Sequence, residues 1–162
     1  MGILTPAMQA IIREQRLAYV ATVGPDRRPN LSPRGTLVVW DDDHLMYADL
    51  RSPQSTANLV RNPAVEVNVV DPFLRKGYRF SGHAHAIADP AALERARRLL
   101  EPEVIDLAHR AHAYLLITVE RAAPLISPGY DLGRSEEETV EVWLQYYTDL
   151  KRGRPTTRRQ SD

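Results

Sequence analysis

Three strand-like segments follow one another near the start of the chain with almost nothing between them. "LAYVATV" (17–23) passes through the turn "GPDRRP" into "NLSPRGTLVVW" (30–40), and "DDDH" leads directly into "LMYADL" (45–50). Parallel neighbours need a crossover of a dozen or more residues, so connections this short impose antiparallel pairing. "AVEVNVV" (64–70) and "YRFSGHAHAI" (78–87), joined by "DPFLRKG", obey the same rule, and "AYLLITVE" (113–120) comes last. About six strands with helices set around them predict a mainly β fold, a six-stranded antiparallel barrel with peripheral helices.

Helical signals fill the gaps. Thr5-Pro6 caps a short helix whose apolar face carries Met8, Ile11 and Ile12. "STANLVRNP" gives another, which must stop near Asn62-Pro63. Asp89-Pro90 opens "AALERARRLL", and Pro102 restarts the chain into a further helical piece through His109. Ser135 and Glu138 form a capping box ahead of the stripe Val140, Trp143, Leu144 and Tyr147. One domain is expected over residues 1–152, followed by a polar, disordered tail over 153–162.

Composition removes several classes of function. Formal net charge is +0, which gives nucleic acid and anionic membranes no broad attraction. With no cysteine, disulfides, thiolate nucleophiles and cysteine metal sites all drop out. No apolar run approaches the roughly 20 residues of a membrane span. The start "MGILTPAMQAII" lacks a basic region followed by a long apolar one, so the expected compartment is the cytoplasm.

The chemistry concentrates in "YADLRSPQSTANLVRNP" (47–63). A helix starting near Ser55 leaves its first N–H groups and positive dipole end free, which suits phosphate. Ser52, Ser55 and Thr56 add hydroxyls and Arg51 a charged fork. A plain helix cap with Arg51 in water accounts for the same residues. On the preceding strand Asn30, Ser32, Arg34 and Thr36 alternate onto one face. An arginine facing a half-buried groove needs either a carboxylate from another strand or an anionic ligand. His83 and His85 also share a strand face, but no nearby carboxylate completes a metal site, so they are assigned to structure and metal to none.

The stretch "RPNLSPRGTLVVWDDDHLMYADLRSPQSTANLVRNPAVEVNVV" resembles the core of the pyridoxamine 5′-phosphate oxidase-related family of FMN-binding split barrels. The marks are "PNLSP" (29–33), the acidic turn, the strand end at 47–50, the Ser-rich turn, Asn58-Leu59 and Asn62-Pro63. This resemblance implies a homodimer with FMN in a groove between subunits. It implies that Arg34, Gly35 and Thr36, beside Ser32, line the flavin groove. Asp49, Leu50, Arg51 and Ser52, with Ser55 and Thr56, would hold the phosphate and ribityl chain, and Arg79 would lie near the ring. Many relatives carry a lysine in the phosphate turn. "SPQST" has none, so Arg51, with Arg34, must supply that charge.

The expected activity is that of an oxidoreductase, passing electrons from a reduced nicotinamide or the substrate to oxygen or another small molecule. The deazaflavin F420 and a flavin-binding module without turnover are the alternatives. A haem reading wants a C-terminal iron ligand, and no histidine follows Gly153. "GRPTTRRQSD" also lacks the arginine- and histidine-bearing substrate motif of true pyridoxamine-phosphate oxidases.

Overall fold

A computed structural model of the chain describes residues 2–108 and 110–153, with the backbone alone for 101–108. The elements are α1 (Pro6–Glu14), β1 (Ala18–Val23), β2 (Pro29–Arg34), β3 (Val38–Val39), β4 (His44–Asp49), α2 (Pro53–Arg61), β5 (Ala64–Asp71), β6 (Lys76–Ala86), α3 (Pro90–Ala108), β7 (Ala113–Ile126) and α4 (Glu136–Lys151). A 3-10 turn, Pro128–Tyr130, precedes α4. All strands pair antiparallel in one sheet of order β2-β1-β5-β6-β7-β4-β3.

That order forces the sheet to curl. β2 and β3 are its two edges, yet only residues 35–37 separate them in sequence. Flat, seven strands at about 4.8 Å spacing would hold the edges about 29 Å apart. The four peptide steps from Arg34 to Val38 reach at most about 14 Å. The edges therefore face one another across a seam, and the sheet is a split barrel.

The stretch 30–40, predicted as one strand, is accordingly two: the chain leaves one edge at Arg34 and joins the other at Val38, making seven strands rather than six. The helix expected to restart at Pro102 is instead continuous from Pro90 to Ala108, since an internal proline removes one N–H bond without here ending the helix. A bulge between Ser81 and Gly82 bends β6 around the barrel. Gly82 is obligatory there, because a Cβ would collide with the Thr118 carbonyl oxygen.

Two cores result from strand alternation. Val20, Leu45, Tyr47, Val67, Val69, Phe80, Leu115 and Ile117 fill the inside of the curl, with Ile12 of α1 and Leu59 of α2 packed into them. On the outside, Met46, Ala48 and Tyr114 are covered by Ala96 and Leu100 of α3. α4 opens with the predicted capping box and rests on the turn between β5 and β6. Arg75 lies 4.1 Å from the Trp143 ring centroid, and Phe73 meets Tyr147 edge-on at 5.8 Å.

Candidate functional site

The register places Arg34, Ser32 and Asn30 opposite Ala18, Val20 and Thr22 of β1 on the inner face, where Arg34 and the three β1 residues are buried and Ser32 and Asn30 are half-buried. β2 thus presents its polar set to the barrel interior at the seam, as alternation predicted. From the other side of the seam come Tyr47 and Asp49 of β4, both on the inner face. α2 crosses between them.

The start of α2 is organised by Asp49, which is 1% exposed. Its Oδ1 accepts the Ser52 N–H at 2.8 Å, and its Oδ2 accepts the Thr56 hydroxyl at 2.5 Å. A carboxylate at the positive end of a helix is favourable, and here it belongs to the protein itself. The N–H groups of Ser55 and Thr56 turn back onto the Ser52 carbonyl. Ser55, fully buried, donates its hydroxyl to Asn30 Oδ1 at 3.2 Å and lies 3.4 Å from Ser32 Oγ. Asn58, one turn on, donates to Thr22. These contacts add polar anchors on β1 and β2 to the apolar one that Leu59 makes in the inner core.

Arg34 is the exception among satisfied groups. It is 6% exposed, and Nη1 donates to Ser52 Oγ at 2.6 Å. Its Nε and Nη2 are buried without a hydrogen-bond partner, and no carboxylate among the described residues lies within ion-pair distance of it. Buried guanidinium groups are ordinarily paired, so this one is suited to an anion brought from outside. Its Cζ lies 5.0 Å from the ring centroid of Tyr47, whose hydroxyl is also buried without a partner. Burial pushes the Tyr47 phenol up to about 12. The charge of Arg34 and its nearness to the hydroxyl oppose that shift, and the charge of Asp49 adds to it.

The other expected residues divide. Arg34, Ser32, Asp49, Ser52, Ser55 and Thr56 meet at the seam. Leu50 packs instead beneath α3's outer core. Thr36 is buried, its hydroxyl donating to the Ala48 carbonyl at 2.9 Å and accepting the Ala48 N–H at 3.2 Å. It continues the β3–β4 ladder by side chain, a structural duty. Gly35 is exposed at the corner and lines a separate cleft of about 340 Å³ with Arg13, Arg16, Leu37 and Leu99. Arg51 is exposed and makes no side-chain bond among the described residues. Arg79 faces the opposite side of the sheet, bonded to Asn68 and 3.3 Å from Glu66, and so does not join Arg34. His83 pairs with Glu120 at 3.0 Å, and no metal-ligating cluster occurs among the described residues. Tyr47 was absent from the sequence prediction, although it sits two residues before Asp49 and alternation puts both on one face.

Residues 4–124 match the family model described as pyridoxamine 5′-phosphate oxidase. The chain belongs to that family. It is similar to HupZ of Group A Streptococcus, at 32% identity over 76% of this chain and 94% of that one, with a TM-score of 0.67. Two more distant structures share the oxidase-family fold. One is a candidate pyridoxamine 5′-phosphate oxidase from Lactobacillus delbrueckii, at 20% identity over 76% of this chain and 95% of that one, TM-score 0.62. The other is an FMN-binding protein from Syntrophomonas wolfei, at 15% over 72% and 82%, TM-score 0.63. No curated protein matches. The fold is that of the FMN-binding split barrels, and an unpaired buried guanidinium beside hydroxyl-rich α2 fits a phosphate-bearing cofactor of that kind.

Proposed function

We propose that this protein is an FMN-dependent oxidoreductase that acts on a small molecule as a cytoplasmic homodimer. The observation that carries the reading is Arg34, a guanidinium buried at the seam with two nitrogens unpaired and no carboxylate within ion-pair distance among the described residues. The FMN-binding fold of the family supports the identity of the anion. When bound, FMN supplies reversible two-electron chemistry, with a reduced nicotinamide or the substrate as donor and oxygen or a second small molecule as acceptor. The chain's own residues bind and orient. Arg34 holds the phosphate by a charged, directional contact. Asp49 fixes the α2 turn so that Ser52 stays against Arg34. Exposed Arg51, on the same turn, adds a second cation at the approach.

Titration of the purified protein with FMN, followed by flavin fluorescence and visible absorbance, tests the assignment. Saturable binding by the wild type is expected, with Arg34→Met weaker by about 10–100-fold. NADH- or NADPH-driven reduction of an artificial acceptor, above the rate of free flavin, is expected of the loaded protein. Absence of FMN binding, or binding that Arg34→Met leaves intact, overturns the cofactor assignment, and saturation by F420 in preference to FMN replaces it. Tight FMN binding without turnover leaves the seat and removes the enzyme.

A further inference from the structure

At the seam, Asp49, Ser55, Asn58 and Thr36 are buried with their side chains hydrogen-bonded. Arg34 and Tyr47 differ. Nε and Nη2 of the first and the hydroxyl of the second are buried polar atoms that meet hydrogen-bond geometry with no described group, although the guanidinium lies near enough to the phenol oxygen to lower its pKa as a donor does. The guanidinium carbon is 5.0 Å from the phenol ring centroid, so all three donors belong to one small region. Burial keeps the phenol protonated, and hence a donor, throughout the physiological range. The region therefore offers three donor atoms and a positive charge; Ser52 Oγ is already taken by Nη1 and the Asp49 carboxylate by Ser52 and Thr56, which leaves the phenol oxygen as the one neutral acceptor beside them. A ring carbonyl presents one oxygen with two lone pairs and leaves a donor unmet. A phosphoryl group, with three terminal oxygens and negative charge, satisfies all of them.

We propose that Tyr47 is a ligand-contacting residue that donates its hydroxyl to the phosphoryl group held by Arg34. The seat they form accepts a phosphate monoester and, by the same chemistry, inorganic phosphate. For the source of the phosphoryl group this rests on the flavin reading above; for the chemistry of the seat it does not. Ser52, half-buried and bonded to Nη1, holds the guanidinium so that Nε and Nη2 are the atoms left for phosphoryl oxygens. Strand alternation explains why Tyr47 and not Met46 or Ala48 has this role, since those two face α3.

The test uses the full chain stripped of ligand, with three probes: inorganic phosphate, FMN and riboflavin, which lacks the phosphoryl group. Affinity is read by thermal shift and by flavin fluorescence at constant ionic strength for wild type, Tyr47→Phe and Arg34→Met. Tyr47→Phe keeps the ring and loses only the hydroxyl, so the barrel's inner packing is retained. The expected result is a loss of about tenfold for both phosphate and FMN in Tyr47→Phe, with riboflavin affinity unchanged. A larger loss is expected in Arg34→Met. Equal phosphate and FMN affinity in wild type and Tyr47→Phe, with Arg34→Met impaired, overturns the role of Tyr47 and leaves the flavin reading standing. Loss of riboflavin binding in parallel with phosphate marks a packing role and overturns it as well. A wild type that takes phosphate but not FMN keeps the seat and removes the flavin. A wild type that takes neither removes both.

Discussion

Arg34 combines two properties that pull in opposite directions. A guanidinium with two buried, unpaired nitrogens destabilises the fold that contains it. Each buried donor left without a partner costs about 1–3 kcal/mol, and an apolar side chain of similar length removes that cost. Arg34→Met is therefore expected to raise the urea midpoint of the ligand-free protein while weakening FMN. A lowered midpoint would show that the guanidinium already has its partner. Tyr47 carries a pH signature of its own. Its folded-state pKa, about 12, lies above the unfolded value near 10, so the fold favours the protonated phenol. That contribution is complete below about pH 10 and lost as pH rises towards 12, by roughly 2–3 kcal/mol in all. Chemical denaturation across this window is expected to show falling stability in the wild type and a shallower fall in Tyr47→Phe. The inward aim of Arg34 was legible in the alternation of "NLSPR". Its lack of a partner was not, because that depends on β4 and α2, which reach it only when the sheet curls.

At the scale of single elements, α2 is held by a residue outside it. Asp49 ends β4 yet fixes the helix start through the Ser52 N–H and the Thr56 hydroxyl, while the Ser52 side chain caps nothing and turns to Arg34. Asp49→Ala leaves those two donors unmet, at a cost of about 1–3 kcal/mol. Faster amide exchange concentrated in residues 53–61, with the β5–β6 ladder protected, is the expected pattern; uniform loss of protection would mean that the carboxylate supports the whole barrel. The sequence offered the hydroxyls of this helix as an anion cradle, and most of them are consumed internally. Spacing shows which donors lie near a helix terminus but not which acceptor reaches them first. The capping box of α4 was legible because both partners, Ser135 and Glu138, lie within one turn of each other. The break at residues 35–37 was not, because whether a strand continues depends on which sheet edge it meets.

For the whole molecule, curling leaves one face of the barrel without cover among the described residues. α3 shields the outer side of β4 and β7, whereas α1 and α2 pack inward. Across β2, β1 and β5 the outward register carries Leu31, Tyr19 and Val70, with Leu17 just before β1. All of them are exposed, Leu31 to 64%. An apolar patch spanning three adjacent strands of a rigid sheet is a natural seat for a second copy, which would present the same patch through a two-fold axis. Light scattering is then expected to give a mass about twice the 18.3 kDa chain. Leu31→Lys, which puts a charge at the most exposed residue of the patch and touches nothing inside, is expected to yield a folded monomer. Arg34 lies on the other face of the same strand, so its chemistry survives in that monomer. If the cofactor groove is shared between subunits, however, FMN affinity should fall on dilution through the dimer dissociation range and fall again in Leu31→Lys. Inorganic phosphate, small enough to be held by Arg34 and Tyr47 alone, should bind dimer and monomer equally. That contrast separates a seat owned by one chain from a groove built by two.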